Sequence, residues 1–245
     1  MCTLAVAFQV DARWPLVVAA NRDERKDRPW EDWGLRTREG ALAVLAPRDL
    51  VAGGTWIGVN AGGVFSGITN YHLPATSGPD PSRRSRGEIV SSALARQTAR
   101  EARRSLGALA AGAYNPFHLL VADAESAFLW WYDGESAEFE DLPPGLHVVT
   151  ENSPFGRCRR GEWIRGHWPL EPSPPHLRDL LAVHGSDPFQ RTCIHLDPVY
   201  GTRSTAVLRL ARSLEVSELY ATVGPPCTNP LEDRSDLLAS LARGA

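Results

Sequence analysis

The second residue of the chain is a cysteine, and that position is the first chemical signal in the sequence. Methionine aminopeptidase removes an initiator methionine when a small residue follows, so the mature chain is expected to begin with Cys2 bearing a free α-amine. Such an amine has an ordinary pKa of about 7.7–8.0, suited to taking the thiol proton and returning it to a leaving group. One residue would then supply both nucleophile and base. The other reading of Cys2 is a small apolar residue opening a strand, the commoner use of a residue type that is usually buried.

Four further clusters of polar residues sit at the ends of apolar runs. Asn21-Arg22-Asp23-Glu24 follows Leu16–Ala20, and strand alternation puts Asn21 and Asp23 on one face and Arg22 on the other. If this strand pairs with the first, Asp23 comes near Cys2, where a carboxylate could hold the α-ammonium or orient the thiol; an ordinary polar turn is the alternative. Gly53-Gly54-Thr55-Trp56 and Gly63–Tyr71 are glycine-rich, and Asn70 ends a run where its amide could donate to an oxyanion or simply make a turn. Thr150–Phe155 and Tyr200–Thr205 each bring one polar residue, Asn152 and Arg203, to a strand edge.

The elements that must position these residues read mostly as strands. Expected pairs are Thr3–Val10 with Leu16–Asn21 across Asp11–Pro15, Trp56–Asn60 with Val64–Thr69, His118–Asp123 with Ala127–Tyr132, and Thr205–Ala211 with Val216–Val223. His147–Thr150 is a shorter strand. Helical spacing runs from Gly87 to about Leu109, with a break at Gly107. It recurs from Pro174 to Gly185, capped by Ser173, and over Leu231–Arg243. Pro74–Arg86 and Glu171–Pro175 read as loops. Hairpins joined to helices predict an α+β fold, with helices covering antiparallel sheets, in one domain spanning residues 1–245.

Composition narrows the function. The 245 residues are 43% hydrophobic and carry a net charge of −3, with 29 acidic against 26 basic residues, so neither a disordered chain nor a general nucleic-acid binder is expected. No run approaches the roughly 20 apolar residues of a membrane span, and the N-terminus lacks the pattern of a secretory signal; a cytoplasmic protein is expected. Cys2, Cys158, Cys193 and Cys227 form no CxxC pair, and the seven histidines show no metal-ligand spacing. No phosphate-binding glycine pattern appears. Neither a metal nor a cofactor is therefore expected. His118, His147 and His195 read as satisfied core or edge residues. The eight tryptophans read as core or pocket wall, with Trp30 and Trp33 in a polar loop.

Taken together, the opening Met-Cys-Thr-Leu-Ala-Val-Ala-Phe, the Asn21–Glu24 tetrad, Arg48-Asp49-Leu50 with Gly53–Trp56, Thr69-Asn70-Tyr71, Ser85-Arg86-Gly87 and Tyr200–Ser204 resemble the NRDE family, also called the Transport and Golgi organisation 2 family. The likeness runs from residue 1 to about residue 225. That family looks like a branch of the N-terminal nucleophile (Ntn) hydrolases, which implies a four-layer αββα sandwich of two antiparallel sheets. Within the superfamily the sequence is most similar to the choloylglycine hydrolase and penicillin V acylase group, where an N-terminal cysteine cleaves amide bonds. The resemblance implies Cys2 as nucleophile, Asp23 beside its amine, Asn70 as oxyanion donor, and Asn152 and Arg203 completing the site. Arg22, Trp56, Tyr71 and Tyr200 are the expected substrate contacts. One departure stands out: that group usually has an arginine three residues before the aspartate, and here that position is Ala20, with Arg22 as the nearby substitute.

The expected function is thus hydrolysis of a non-peptide amide or related acyl bond in a small molecule, with a homodimer as the assembly to test. A carrier for an apolar ligand (an acyl chain, acyl-CoA or haem) is the other expectation. No cysteine precedes a proline, as in the common haem-contact dipeptide, and His72 is the axial-ligand candidate.

Overall fold

The computed structural model describes residues 2–37, 39–72, 78–185, 187 and 190–244. Met1 and residues 74–77 of the expected 74–86 loop lie outside the described residues. In chain order the first half contains β1 (Cys2–Phe8), β2 (Leu16–Arg25), β3 (Trp30–Arg36), β4 (Val44–Asp49), β5 (Ile57–Asn60), β6 (Phe65–Asn70), α1 (Gly87–Leu94) and α2 (Ala99–Leu106). Then come β7 (Phe117–Ala122), β8 (Ala127–Tyr132), β9 (Ala137–Asp141), β10 (Gly145–Thr150), α3 (Arg159–His167) and α4 (Pro174–Leu181). The last stretch holds β11 (His195–Leu196), β12 (Tyr200–Leu210), β13 (Glu218–Val223), β14 (Glu232–Asp233) and α5 (Ser235–Arg243). Among the described residues no helix is long and apolar enough to cross a membrane.

Two antiparallel sheets result. One runs β10-β1-β2-β12-β13-β14, with β11 paired to β12; the other runs β3 to β9 in sequence order. Period-two alternation explains the layers. Leu4, Val6, Phe8, Leu16, Val18 and Ala20 face the second sheet and share its core, whereas Ala5, Ala7, Val17 and Ala19 face α3 and α4. On the other side, Phe117, Leu119, Phe128 and Trp130 pack beneath α1 and α2, while Leu120 and Leu129 point back to the middle. Central strands buried on both faces read as continuous apolar runs, which is why β1, β2, β7 and β8 are legible in the sequence. The expected αββα sandwich is the observed architecture.

Several expected boundaries move. The long helix from Gly87 breaks at residues 95–98, before Gly107, because Thr98 caps a second helix: its side chain accepts from the Glu101 amide at 3.2 Å while the Glu101 carboxylate accepts from the Gln97 amide at 3.1 Å. Trp30 and Trp33 lie in a strand, β3. That strand and β9 are the edges of the second sheet, and their polar sequences escape an apolar-run search. The strand expected from Val216, β13, begins at Glu218, since Leu214–Val216 form a 3₁₀ turn, and the last helix begins at Ser235. Helix α3, with two glycines and four charged residues, has no apolar period to announce it. Gly161 lets it approach: a Cβ there would stand 2.0 Å from the Gly156 carbonyl, and this closeness brings Arg160 down onto β10.

Candidate functional site

Strand register sets the site. In the β1–β2 pair Cys2 stands opposite Arg22, and Ala20 stands opposite Leu4, so these four side chains share the face turned toward the second sheet. Arg22 therefore occupies the same face as Ala20, two residues along. Arg22 is 5% exposed, and its guanidinium lies over Trp30, with its centre 5.8 Å from the ring. Its charged neighbour is Asp49, at 3.9 Å, a carboxylate already taken at 2.7 Å by Arg28. The second terminal nitrogen, Nη1, is buried and has no hydrogen-bond partner among the described residues.

The opposite face of the same strands is a polar layer beneath α3. Asn21 is saturated: its amide donates to the Leu181 and Thr192 carbonyls at 3.0 and 2.7 Å and its oxygen accepts from Thr205 at 2.6 Å. Asp23 accepts from the Thr202 hydroxyl at 2.6 Å, and its carbonyl accepts from Tyr200 at 2.7 Å. Arg160 donates to Glu151 at 2.8 Å and to Thr3 at 3.3 Å, an ion pair with both side chains essentially without exposure. Burial raises Asp23 from 3.8 to about 7, opposed by the positive charges of the amino terminus and Arg160 and by the Thr202 hydrogen bond. Burial also raises the Cys2 thiol, opposed by the amino terminus, the Asp23 backbone amide and Arg22, with Asp23's own charge adding to the rise. The thiol is thus protonated at neutral pH in the chain that retains Met1.

Asp23 makes stability depend on pH. Because its folded value lies above its ordinary one, its contribution is fully present below about pH 4 and is lost as pH rises through about 7. Asp23→Asn is expected to flatten that decline and to be more stable than the wild type at pH 8, by a few kcal/mol. Urea unfolding at pH 4, 6 and 8 measures it; parallel pH profiles for the two proteins would contradict the assignment.

The other expected site residues divide. Asn70, Tyr71 and His72 line a cavity of about 780 Å³ together with Arg86 and Pro116. Arg86 donates to the Pro116 carbonyl at 2.9 Å and is lowered to about 10, chiefly by burial, with the Cys2 charge acting in the opposite sense. In the sequence it stands within Ser85-Arg86-Gly87 with nothing local to give it a role, and the same is true of Glu151 and Arg160. Tyr71 packs on His118 with ring centres 4.3 Å apart. Trp56 bridges two core clusters, its buried indole N–H without a partner among the described residues.

Asn152 is exposed, and its amide reaches the Glu151 carboxylate at 3.3 Å. Arg203 lies within β12 at a bulge, and its guanidinium donates to the Arg25 and Lys26 carbonyls, tying down the turn after β2. Among the described residues no hydrogen bond brings either residue to Cys2. His118 is a core residue that is only half satisfied: Nδ1 is 2.9 Å from the Thr150 carbonyl, whereas the buried Nε2 has no partner among the described residues, and burial lowers the ring to about 4, hence neutral.

Comparison with known proteins agrees with this architecture. The family model described as Transport and Golgi organisation 2 matches residues 1–169. The Transport and Golgi organization 2 homolog of Mus musculus is 32% identical over 158 residues, covering 59% of this chain and 55% of that protein. The Homo sapiens homolog is 32% identical over 131 residues, covering 50% and 46%. The chain thus spans about half the length of the curated relatives it matches. Among solved structures, the N-acylethanolamine-hydrolyzing acid amidase ortholog of Caenorhabditis elegans superposes with a TM-score of 0.61 at 13% identity, covering 85% of this chain and 92% of that one. Penicillin V acylase from Agrobacterium tumefaciens gives 0.55 at 14% identity, covering 91% and 83%. A variant of the conjugated bile acid hydrolase from Clostridium perfringens gives 0.54 at 12%, covering 98% and 94%. At these identities the likeness is one of fold.

Proposed function

Since this chain belongs to the Transport and Golgi organisation 2 family and has the Ntn-hydrolase fold, we propose that it is an N-terminal cysteine hydrolase acting on a non-peptide amide or related acyl bond of a small molecule. The observation that carries this reading is the pairing of Cys2 with Arg22 on the side of the two central strands that faces the second sheet, with buried Asp23 behind them.

Removal of Met1 would leave the α-amine on Cys2 itself, next to Asp23. The amine takes the thiol proton, and the sulfur attacks the acyl carbon, pushing the carbonyl electron pair onto oxygen. The Asn70 amide, with Asn152 proposed as a second donor, stabilises that oxyanion. Collapse expels the amine product, which takes the proton from the α-ammonium. Water then attacks the thioester as it gives a proton to the α-amine, the carboxylic acid is released, and the expelled thiolate takes that proton from the α-ammonium to restore the thiol. The unpartnered Arg22 nitrogen suits an anionic or strongly polar group of the substrate, the remainder of which would occupy the cavity by Tyr71 and Arg86. Trp56 and Tyr200 are the further contacts proposed. A single domain, acting in the cytoplasm, completes the proposal.

Intact-mass analysis of protein made with its native N-terminus tests this, before and after a thiol-directed acyl electrophile. The expected result is loss of Met1 and a first label on Cys2, ahead of Cys158, Cys193 and Cys227. Retention of Met1, or a Cys2 no faster than Cys158, would overturn the mechanism and leave the cavity to the carrier reading.

A further inference from the structure

The sequence offers no zinc-like spacing, yet the fold brings three ligand-type residues together away from Cys2. Cys193 precedes β11, His195 opens it, and Cys227 lies in the turn after β13. The Cys193 and Cys227 sulfurs are 3.7 Å apart, and His195 Nε2 is 3.4 Å from the first and 3.2 Å from the second. These are close to the edges of a metal tetrahedron. With metal–sulfur bonds of about 2.3 Å and metal–nitrogen bonds of about 2.0–2.1 Å, tetrahedral angles require about 3.8 Å between sulfurs and about 3.5 Å between sulfur and nitrogen.

Neither a disulfide nor a hydrogen-bonded chain uses all three contacts. A disulfide needs sulfurs about 2.0 Å apart and leaves the imidazole without a role. A hydrogen-bonded chain from Cys193 to Cys227 to His195 uses two of the three contacts and leaves the 3.4 Å approach of His195 to Cys193 without a role, since a ring nitrogen addresses one sulfur only. A cation at the centre engages all three atoms.

The frame around them is fixed by backbone bonds. The Cys193 amide donates to the Val183 carbonyl at 2.9 Å, the Thr202 amide to the Ile194 carbonyl at 2.9 Å, and the Asn229 amide to the Pro225 carbonyl at 3.0 Å. A cavity of about 260 Å³ opens onto the cluster and is lined also by His184, whose ring centre is 5.3 Å from that of His195. It offers both an entry path and a fourth vertex.

The geometry points to a zinc site built by Cys193, His195 and Cys227, separate from the acyl chemistry at Cys2, with its fourth position toward His184 or a water molecule. Two thiolates and an imidazole are a soft, tetrahedral donor set that suits zinc over calcium or magnesium. Bound there, the ion ties the β11–β12 hairpin to the turn after β13, and Thr202, which holds Asp23, sits within that hairpin.

The test uses the full chain, reduced and stripped by chelator, and titrated with cobalt(II) and then zinc(II). One equivalent of cobalt is expected to give thiolate-to-metal charge-transfer absorption in the near ultraviolet and the strong visible bands of four-coordinate cobalt. Zinc should abolish both and raise the melting temperature. The charge-transfer band should fall in Cys227→Ser and Cys193→Ser, the four-coordinate spectrum should be lost in His195→Ala, and Cys158→Ser should keep both. Cys227, only partly buried, guards against misreading a folding failure at buried Cys193. Absence of the band in the wild type, or a band unchanged by Cys227→Ser, would overturn the site.

Discussion

Cys2→Ala is expected to abolish turnover, by a factor on the order of 10⁴–10⁶, while leaving the fold intact. The loss is large because the residue fills two roles in one place. Its sulfur forms the covalent bond, and the α-amine that shuttles the proton has no thiol to act on once the sulfur is gone. The fold should tolerate the change: the side chain is only partly buried at the end of β1, and the β1–β2 register is held by backbone bonds and by the apolar residues from Leu4 onward. Release from a panel of chromogenic acyl amides, with near-ultraviolet circular dichroism as the folding control, measures both halves. Wild-type-like release by the alanine variant sinks the proposed chemistry, whereas a trace of activity in Cys2→Ser accords with it, since a hydroxyl is a weaker nucleophile in the same position.

Arg160→Ala is expected to destabilise the protein by about 3–5 kcal/mol, the usual consequence of leaving one member of a buried ion pair without the other. Its partner Glu151 has no exposure, and Asp23 is 2% exposed on the same face. With Arg160 gone, two acidic side chains share a dry layer. The loss should be greatest above neutral pH, where Asp23 is charged, and Asp23 should rise beyond about 7 because one of the groups now lowering it is absent. Replacing the pair together, as Arg160→Met with Glu151→Leu, should recover most of the stability. Urea unfolding of both single variants and the double variant decides the matter. Additive losses in the double variant would mean that the two side chains act independently.

How far these residues can be read from sequence depends on what kind of contact makes them matter. The tetrad Asn21–Glu24 shows both cases. Alternation correctly separates Asn21 and Asp23 from Arg22, because period two is a property of any strand. That Asn21 is a saturated anchor between α4 and β12, and that Arg22 retains a buried unpartnered nitrogen, depends on segments more than 150 residues away or on the second sheet. The same divide explains Ala20. As a missing arginine it looks like a defect. With the register known, Arg22 lies on the same face and stands opposite the nucleophile.

The sequence by itself determined a strand-rich α+β plan, whose αββα layering the family resemblance implied, the hairpins at Asp11–Pro15 and Ala61–Gly63, and the identity of Cys2, Asp23 and Asn70 as chemically notable groups. Those signals are local: apolar period, turn residues and motif order survive without tertiary contacts. Only the tertiary structure decided which polar residues meet. Arg160 enters the layer behind Asp23 because Gly161 lets α3 touch Gly156, and Cys193, His195 and Cys227 converge because β11 folds back on β12 beside the β13 turn. Both assemblies come from close approaches between distant segments, and side-chain spacing along the chain carries no record of such distances.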